Sequence, residues 1–203
     1  VLIVITAALL GGCWNYQGLD ELTITTGVAI DRDPGSGLYH LSFEYVDLSG
    51  PAKEQGVVAG LVETYGTTLF EAIRNVKKRI TNKIYLGHME IAMVNEEVAR
   101  STDIGDLVDF FLEDAESRET MYVAVAQGVT AHELLSLEGI GQPLVAYEMQ
   151  KIIRDDQKIT ASTASVQAYR VYDILNSEGI ELVLPAFHIT LNDGLPTDEV
   201  NGI

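Results

Sequence analysis

Two period-two runs of apolar residues near the start of the chain flank a turn. Ile24, Thr26, Val28 and Ile30 share one face of a strand, and residues 31–37 read Asp-Arg-Asp-Pro-Gly-Ser-Gly. Tyr39, Leu41, Phe43 and Tyr45 then alternate with His40, Ser42 and Glu44, the pattern of a half-buried strand, so the pair is predicted to be a hairpin. Residues 49–66 are rich in glycine and small side chains and hold no firm period, which predicts a loop.

Helical periods follow. Thr68 and Glu71 stand at capping-box spacing, and Leu69, Ile73, Val76 and Ile80 form a stripe behind them. Residues 84–94 predict a strand with Met89, Ile91 and Met93 on one face. Ile104, Leu107, Val108, Phe111 and Leu112 recur at helical spacing after Asp103, a cap residue. Residues 121–126 predict a short buried strand, and Thr130 with Glu133 a second capping box on a helix running to Leu137. Glycines 139 and 141 and Pro143 break the chain. Two helical patterns then occupy 144–154 and 165–175, an apolar strand 181–189, and a turn Asn192-Asp193-Gly194. The whole predicts an α/β fold, a mixed α+β sheet with packed helices, in one domain with a helical extension near its end.

Composition narrows the function. The 203 residues carry 13 Lys+Arg against 30 Asp+Glu, a net charge of −17, and are 47% hydrophobic, as in an ordinary globular chain. Such an acidic chain repels phosphate, which argues against nucleic acid and against electrostatic adhesion to anionic lipid. A single cysteine excludes an internal disulfide or a multi-cysteine metal site.

That cysteine has a specific setting. Residues 1–10 are uncharged and apolar, too few to span a bilayer that needs about 20, but suited to the h-region of a secretory signal. Neither an initiating Met nor a basic n-region stands before Val1, so residues 1–12 are expected to be part of a signal peptide. Leu10-Gly11-Gly12-Cys13 resembles a bacterial lipobox, which implies cleavage before Cys13, an S-diacylglycerol on its thiol and an N-acyl group on the new terminus. A buried core cysteine in an apolar element is the alternative. With no polybasic patch beside it, a stable anchor needs two acyl chains, which a diacylated Cys13 carries. Trp14 and Tyr16 suit either the headgroup layer or ordinary packing.

Catalytic motifs fail one by one. No Walker loop or G-x-S-x-G elbow is present, and neither Gly139-Ile140-Gly141 nor Gly35-Ser36-Gly37 completes a dinucleotide fingerprint. His132-Glu133 starts like a zincin helix, but Ser136 stands where the second histidine is needed. Asp31-Arg32-Asp33 starts like a calcium loop, but Gly35 and Ser42 occupy ligand positions. His40 and His88, on predicted strands, suit hydrogen-bonded roles better than metal binding, and Glu113-Asp114-Ala115-Glu116 suits a solvated helix end better than a paired-carboxylate site, with only Arg118 placed beside it. Five of the 13 basic residues fall between Arg74 and Lys83, a docking face for acidic groups or a solvated helix face. No catalytic residue, cofactor or metal ligand set is expected.

Several ordered segments carry a family resemblance. Cys13-Trp14, Leu19-Asp20-Glu21-Leu22 and Thr26-Gly27-Val28-Ala29-Ile30-Asp31 resemble the opening of the Ger(x)C family, the C-subunit lipoproteins of spore germinant receptors. The resemblance continues through Thr68-Leu69-Phe70-Glu71-Ala72-Ile73-Arg74, Tyr85-Leu86-Gly87-His88-Met89-Glu90 and Asp109-Phe110-Phe111-Leu112-Glu113-Asp114. Arg118, Thr120, Tyr122-Val123 and Glu133-Leu134-Leu135 extend it in order. Glu113 stands where the family has a basic residue and Ala115 where it has proline. Family members are longer, so residues 13–203 are expected to be their N-terminal domain without the C-terminal domain.

The resemblance implies a non-enzymatic lipoprotein on the outer face of the spore inner membrane, held to lipid through Cys13. It would work with the two integral-membrane subunits of the receptor in nutrient-triggered germination. The alternatives are a solute-binding lipoprotein that captures the nutrient in a cleft, and a lipid-anchored envelope enzyme built on His88 or His132 with two carboxylates.

Overall fold

In the computed structural model, which describes residues 18, 21–47, 58–113, 116–139, 143–192 and 195–202, the predicted hairpin is present. β1 (Leu22–Arg32) pairs antiparallel with β2 (Tyr39–Asp47). Asp33 closes the turn: its carboxylate accepts from the backbone N–H of Ser36 at 2.8 Å and the Ser36 hydroxyl at 2.6 Å. Gly37 sits at φ +70°, where a side chain would be strained.

Residues 58–66, predicted to be loop, form a third strand, β3 (Val58–Gly66), antiparallel to β2 along its whole length. Its Gly and Ala content hides the alternation, and pairing to β2 supplies the order that local propensity lacks. The rest of the predicted loop lies outside the described residues.

The predicted strand at 84–94 is two strands. β4 (Lys83–Tyr85) runs parallel to Leu22–Ile24 of β1, and β5 (Ile91–Asn95) parallel to Gly27–Ile30. A register shift in β1 between Thr25 and Gly27 separates the two pairings. The chain turns there, with the Met89 N–H donating to Leu86 at 3.1 Å and the Glu90 N–H to Thr26 at 2.7 Å.

Further strands β6 (Tyr122–Ala126), β7 (Pro185–Asn192) and β8 (Leu195–Gly202) complete a mixed sheet in the order β3-β2-β1-β5-β6-β7-β8. Its centre, β1-β5-β6-β7, is parallel and both edges are antiparallel. A parallel centre needs cover on both faces, and helices supply it. The expected turn at 192–194 separates β7 from β8, although Asp193 and Gly194 themselves lie outside the described residues.

One layer holds α1 (Leu69–Val76), α2 (Glu96–Ser101), α3 (Ile104–Glu113) and α6 (Ala168–Leu175). These pack Val76, Val98, Phe111 and Val171 against Val28, Leu41, Phe43 and Val123. The other layer is α4 (Ala131–Leu135) with α5 (Val145–Ile159), which bury Leu134, Ala146, Met149 and Ile153 over Ala29, Ile91, Met93 and Phe187. Each large apolar side chain fully buried here contributes about 1.5–3 kcal/mol. The expected helical extension is thus corrected: α5 is one layer of the core.

Local signals hold at the helix starts, with one change. Thr130 and Glu133 form the complete capping box, while Thr68 accepts from the Glu71 N–H but the Glu71 carboxylate turns to Thr67. Asp103 accepts from the Gly105 N–H at 2.8 Å, as its cap position predicts. Helix α2 is an addition to the predicted elements, started by Asn95, whose side chain accepts from the Glu97 N–H at 2.9 Å.

Candidate functional site

β2 is more than half-buried: His40 and residues 45–47 are half-buried as predicted, but 41–44 are buried on both faces. Ser42 is 0% and Glu44 2% exposed, because α4 and α5 lie over the polar face of the hairpin. That face carries the densest polar chemistry among the described residues.

Two acidic side chains of the hairpin cap these helices from a distance. Asp31, at the end of β1, accepts from the backbone N–H groups of Ala131 and His132, each at 2.8 Å. Glu44 accepts from the N–H of Val145 at 2.6 Å and of Ala146 at 3.1 Å, and from the Thr26 hydroxyl at 2.6 Å. The N-cap of α5 is Leu144, which has no side chain to offer, so Glu44 takes that part. Burial pushes both carboxyls above the usual carboxylate range; the N–H donors, and for Glu44 the Thr26 hydroxyl, pull back only part of that rise.

The close approach of α5 needs Gly27. A Cβ there would lie 2.7 Å from the Ala146 Cβ, too near for any side chain. The register shift in β1 makes Thr26 the extra residue, and its hydroxyl reaches Glu44 instead of the apolar face predicted for it.

Beside these caps three metal-type donors converge. His40, on β2, stacks its ring on Tyr65 of β3 at 4.5 Å and 6°, and its Nε2 meets Glu63 Oε2 at 2.8 Å. His132, the second residue of α4, has its ring 5.3 Å from that of His40 and its Nδ1 2.8 Å from the Ser42 hydroxyl. Donor atoms of His40, Glu63 and His132 all lie within 4.8 Å of one another. Ser42 is fully buried beside its histidine, so its hydroxyl orients the ring and has no access to a substrate.

Sequence spacing failed to reveal this trio for two reasons. The partner of His132 comes from β2, 92 positions earlier by number, and not from its own helix, where Ser136 hydrogen-bonds the His132 carbonyl at 2.6 Å. Glu63 lies on β3, where the local pattern predicts a loop. The alternation of His40, Ser42 and Glu44 was the available signal.

Other candidate residues are dispersed. His88 is exposed, its ring edge-on to Tyr85 at 5.8 Å, and His188 is half-buried on β7. Neither joins the trio. Asp31 stands near His132, and its carboxylate is committed to two backbone donors. Glu116 pairs with Lys83 and Arg118 with Glu90, while Asp114 and Ala115 lie outside the described residues. Arg74, Lys77 and Lys83 rim a cavity of about 400 Å³ floored by Ile73, Val76, Ile80, Ile84 and Leu86. Among the described residues no helix is long and apolar enough to cross a membrane. Cys13, with residues 1–12, Trp14 and Tyr16, lies outside the described residues.

Residues 15–189 match the family described as the spore germination protein N-terminal domain. Three Bacillus subtilis (strain 168) proteins illustrate the similarity. Spore germination protein KC is 24% identical over 91% of this chain and 46% of its own length. Spore germination protein B3 is 25% identical over 59% of this chain and 32% of its own length. Spore germination protein A3 is 24% identical over 78% of this chain and 42% of its own length. The chain thus spans less than half the length of these curated relatives. No solved structure matches the chain.

Proposed function

The chain belongs to the spore germination protein N-terminal domain family, and from that premise we propose that it acts in spore germination as a lipid-anchored, non-catalytic subunit of a germinant receptor. One observation carries this reading: the family match begins at residue 15, directly after the lipobox-like Leu10-Gly11-Gly12-Cys13.

Each buried methylene of an acyl chain contributes about 0.8 kcal/mol to membrane attachment, and two chains on Cys13 hold a protein that has no basic patch beside its anchor. Confined to the outer face of the spore inner membrane, the domain meets the two integral-membrane receptor subunits at raised effective concentration. A weak interface then suffices, and the domain serves as a scaffold. The single sheet with a helical layer on each face supports this reading over nutrient capture in a cleft between two lobes.

The test is the loss of optical density by spores carrying Cys13→Ala after nutrients are added. Calcium dipicolinate, which bypasses the receptors, serves as control. Failure with nutrients beside a normal control response is the expected result. Unchanged nutrient germination, with the variant still in the membrane fraction, would overturn the anchoring.

A further inference from the structure

We propose that His40, Glu63 and His132 form a binding site for a transition-metal dication of the zinc class. The donors come from three separate elements, β2, β3 and α4, so their convergence is a product of the fold and not of local sequence. Two imidazoles and one carboxylate are the donor set that zinc takes with three protein ligands, the remaining position being left to water. Nitrogen donors select such a metal over calcium or magnesium, which prefer all-oxygen shells.

The geometry is close to what binding needs. Donors at about 2.1 Å from a tetrahedral ion stand about 3.4 Å apart. His40 Nε2 and Glu63 Oε2 are at 2.8 Å, and no pair of the three donors exceeds 4.8 Å. The Glu63 side chain is 42% exposed, which leaves a solvent path to the site.

The surroundings hold both rings in advance. Tyr65 stacks on His40, the Ser42 hydroxyl lies 2.8 Å from Nδ1 of His132 and the Ser136 hydroxyl 3.4 Å from its Nε2, and Asp31 pins the backbone of the helix that carries His132. Oriented ligands of this kind are the usual support of a metal site, and losing one such contact costs about 10–100-fold in affinity. A bound dication would also bridge the edge strand β3 and its neighbour β2 to α4.

Zinc titration of the purified chain by calorimetry tests the site, with calcium as the control for loose attraction to an acidic surface. One zinc ion per chain is expected, with a raised melting temperature and no matching calcium effect. Cobalt in its place should give the intense visible bands of tetrahedral coordination. His40→Gln, Glu63→Gln and His132→Gln should each abolish saturable binding, and Ser42→Ala should weaken it about tenfold. Glu63→Gln alters a half-exposed side chain, so its metal-free melting temperature should match wild type and separate loss of ligand from loss of fold. Absence of saturable zinc binding, or binding that survives all three ligand substitutions, would show the trio to be only an ion pair beside a hydrogen-bonded histidine. Either result leaves the germination reading unaffected.

Discussion

The backbone N–H of Val145 donates to the Glu44 carboxylate at 2.6 Å, joining residues 101 positions apart. One buried side chain thereby starts a helix that has no local cap and locks it to the hairpin. Glu44→Ala strands this donor together with those of Ala146 and Thr26. Unpaired buried donors cost about 1–3 kcal/mol each, so a loss of about 3–5 kcal/mol is expected in urea unfolding followed by circular dichroism. A loss under about 1 kcal/mol would mean that water replaces the carboxylate.

The same residue sets a pH dependence. Burial raises the Glu44 carboxyl above its ordinary 4.5, so the folded chain holds this proton more tightly than the unfolded one. Its contribution is therefore complete below pH 4.5 and declines as pH rises through the folded value. Exposed Asp33, Glu71 and Asp156 are shifted the other way by hydrogen bonds to their carboxylates, and they favour the folded state at higher pH. Subtracting a Glu44→Gln stability profile from that of wild type cancels them. The difference should be largest in acid and shrink toward neutrality; a difference that grows toward neutrality would reverse the assignment.

Gly27→Ala should lower stability by about 1–3 kcal/mol, the cost of overpacking a fitted core. The new methyl would lie 2.7 Å from the Ala146 Cβ, so Ala146→Gly in the same chain should recover part of the loss. A double-mutant cycle measures this, and additive effects at these two positions would rule out the contact as the cause.

Helix α4 has two caps, and they should differ in weight. Thr130→Ala removes the local box and should cost about 1 kcal/mol in thermal unfolding. Asp31→Ala strands the N–H groups of both Ala131 and His132 beneath the hairpin, and should cost more. Equal losses would show the long-range cap to be superfluous.

Where an element depends on its own residues, the sequence sufficed. The β1–β2 hairpin follows from alternation around a turn containing Gly37, and α4 from the Thr130–Glu133 box. Helix α2 was missed: Asn95 stands at its cap position, but its six residues carry no apolar stripe. The ordered family segments likewise lie in the sequence itself.

Tertiary structure alone decided the remainder. β3 is a strand because β2 offers it a partner, and residues 84–94 split because β1 shifts register at Thr26. Glu44 reads as the polar side of a half-buried strand until α5 covers it. His40, Glu63 and His132 become a group only when β2, β3 and α4 meet. Hydrophobic period and cap chemistry are set within one or two turns of chain, whereas burial of a charge and convergence of donors depend on residues as far as 101 positions away.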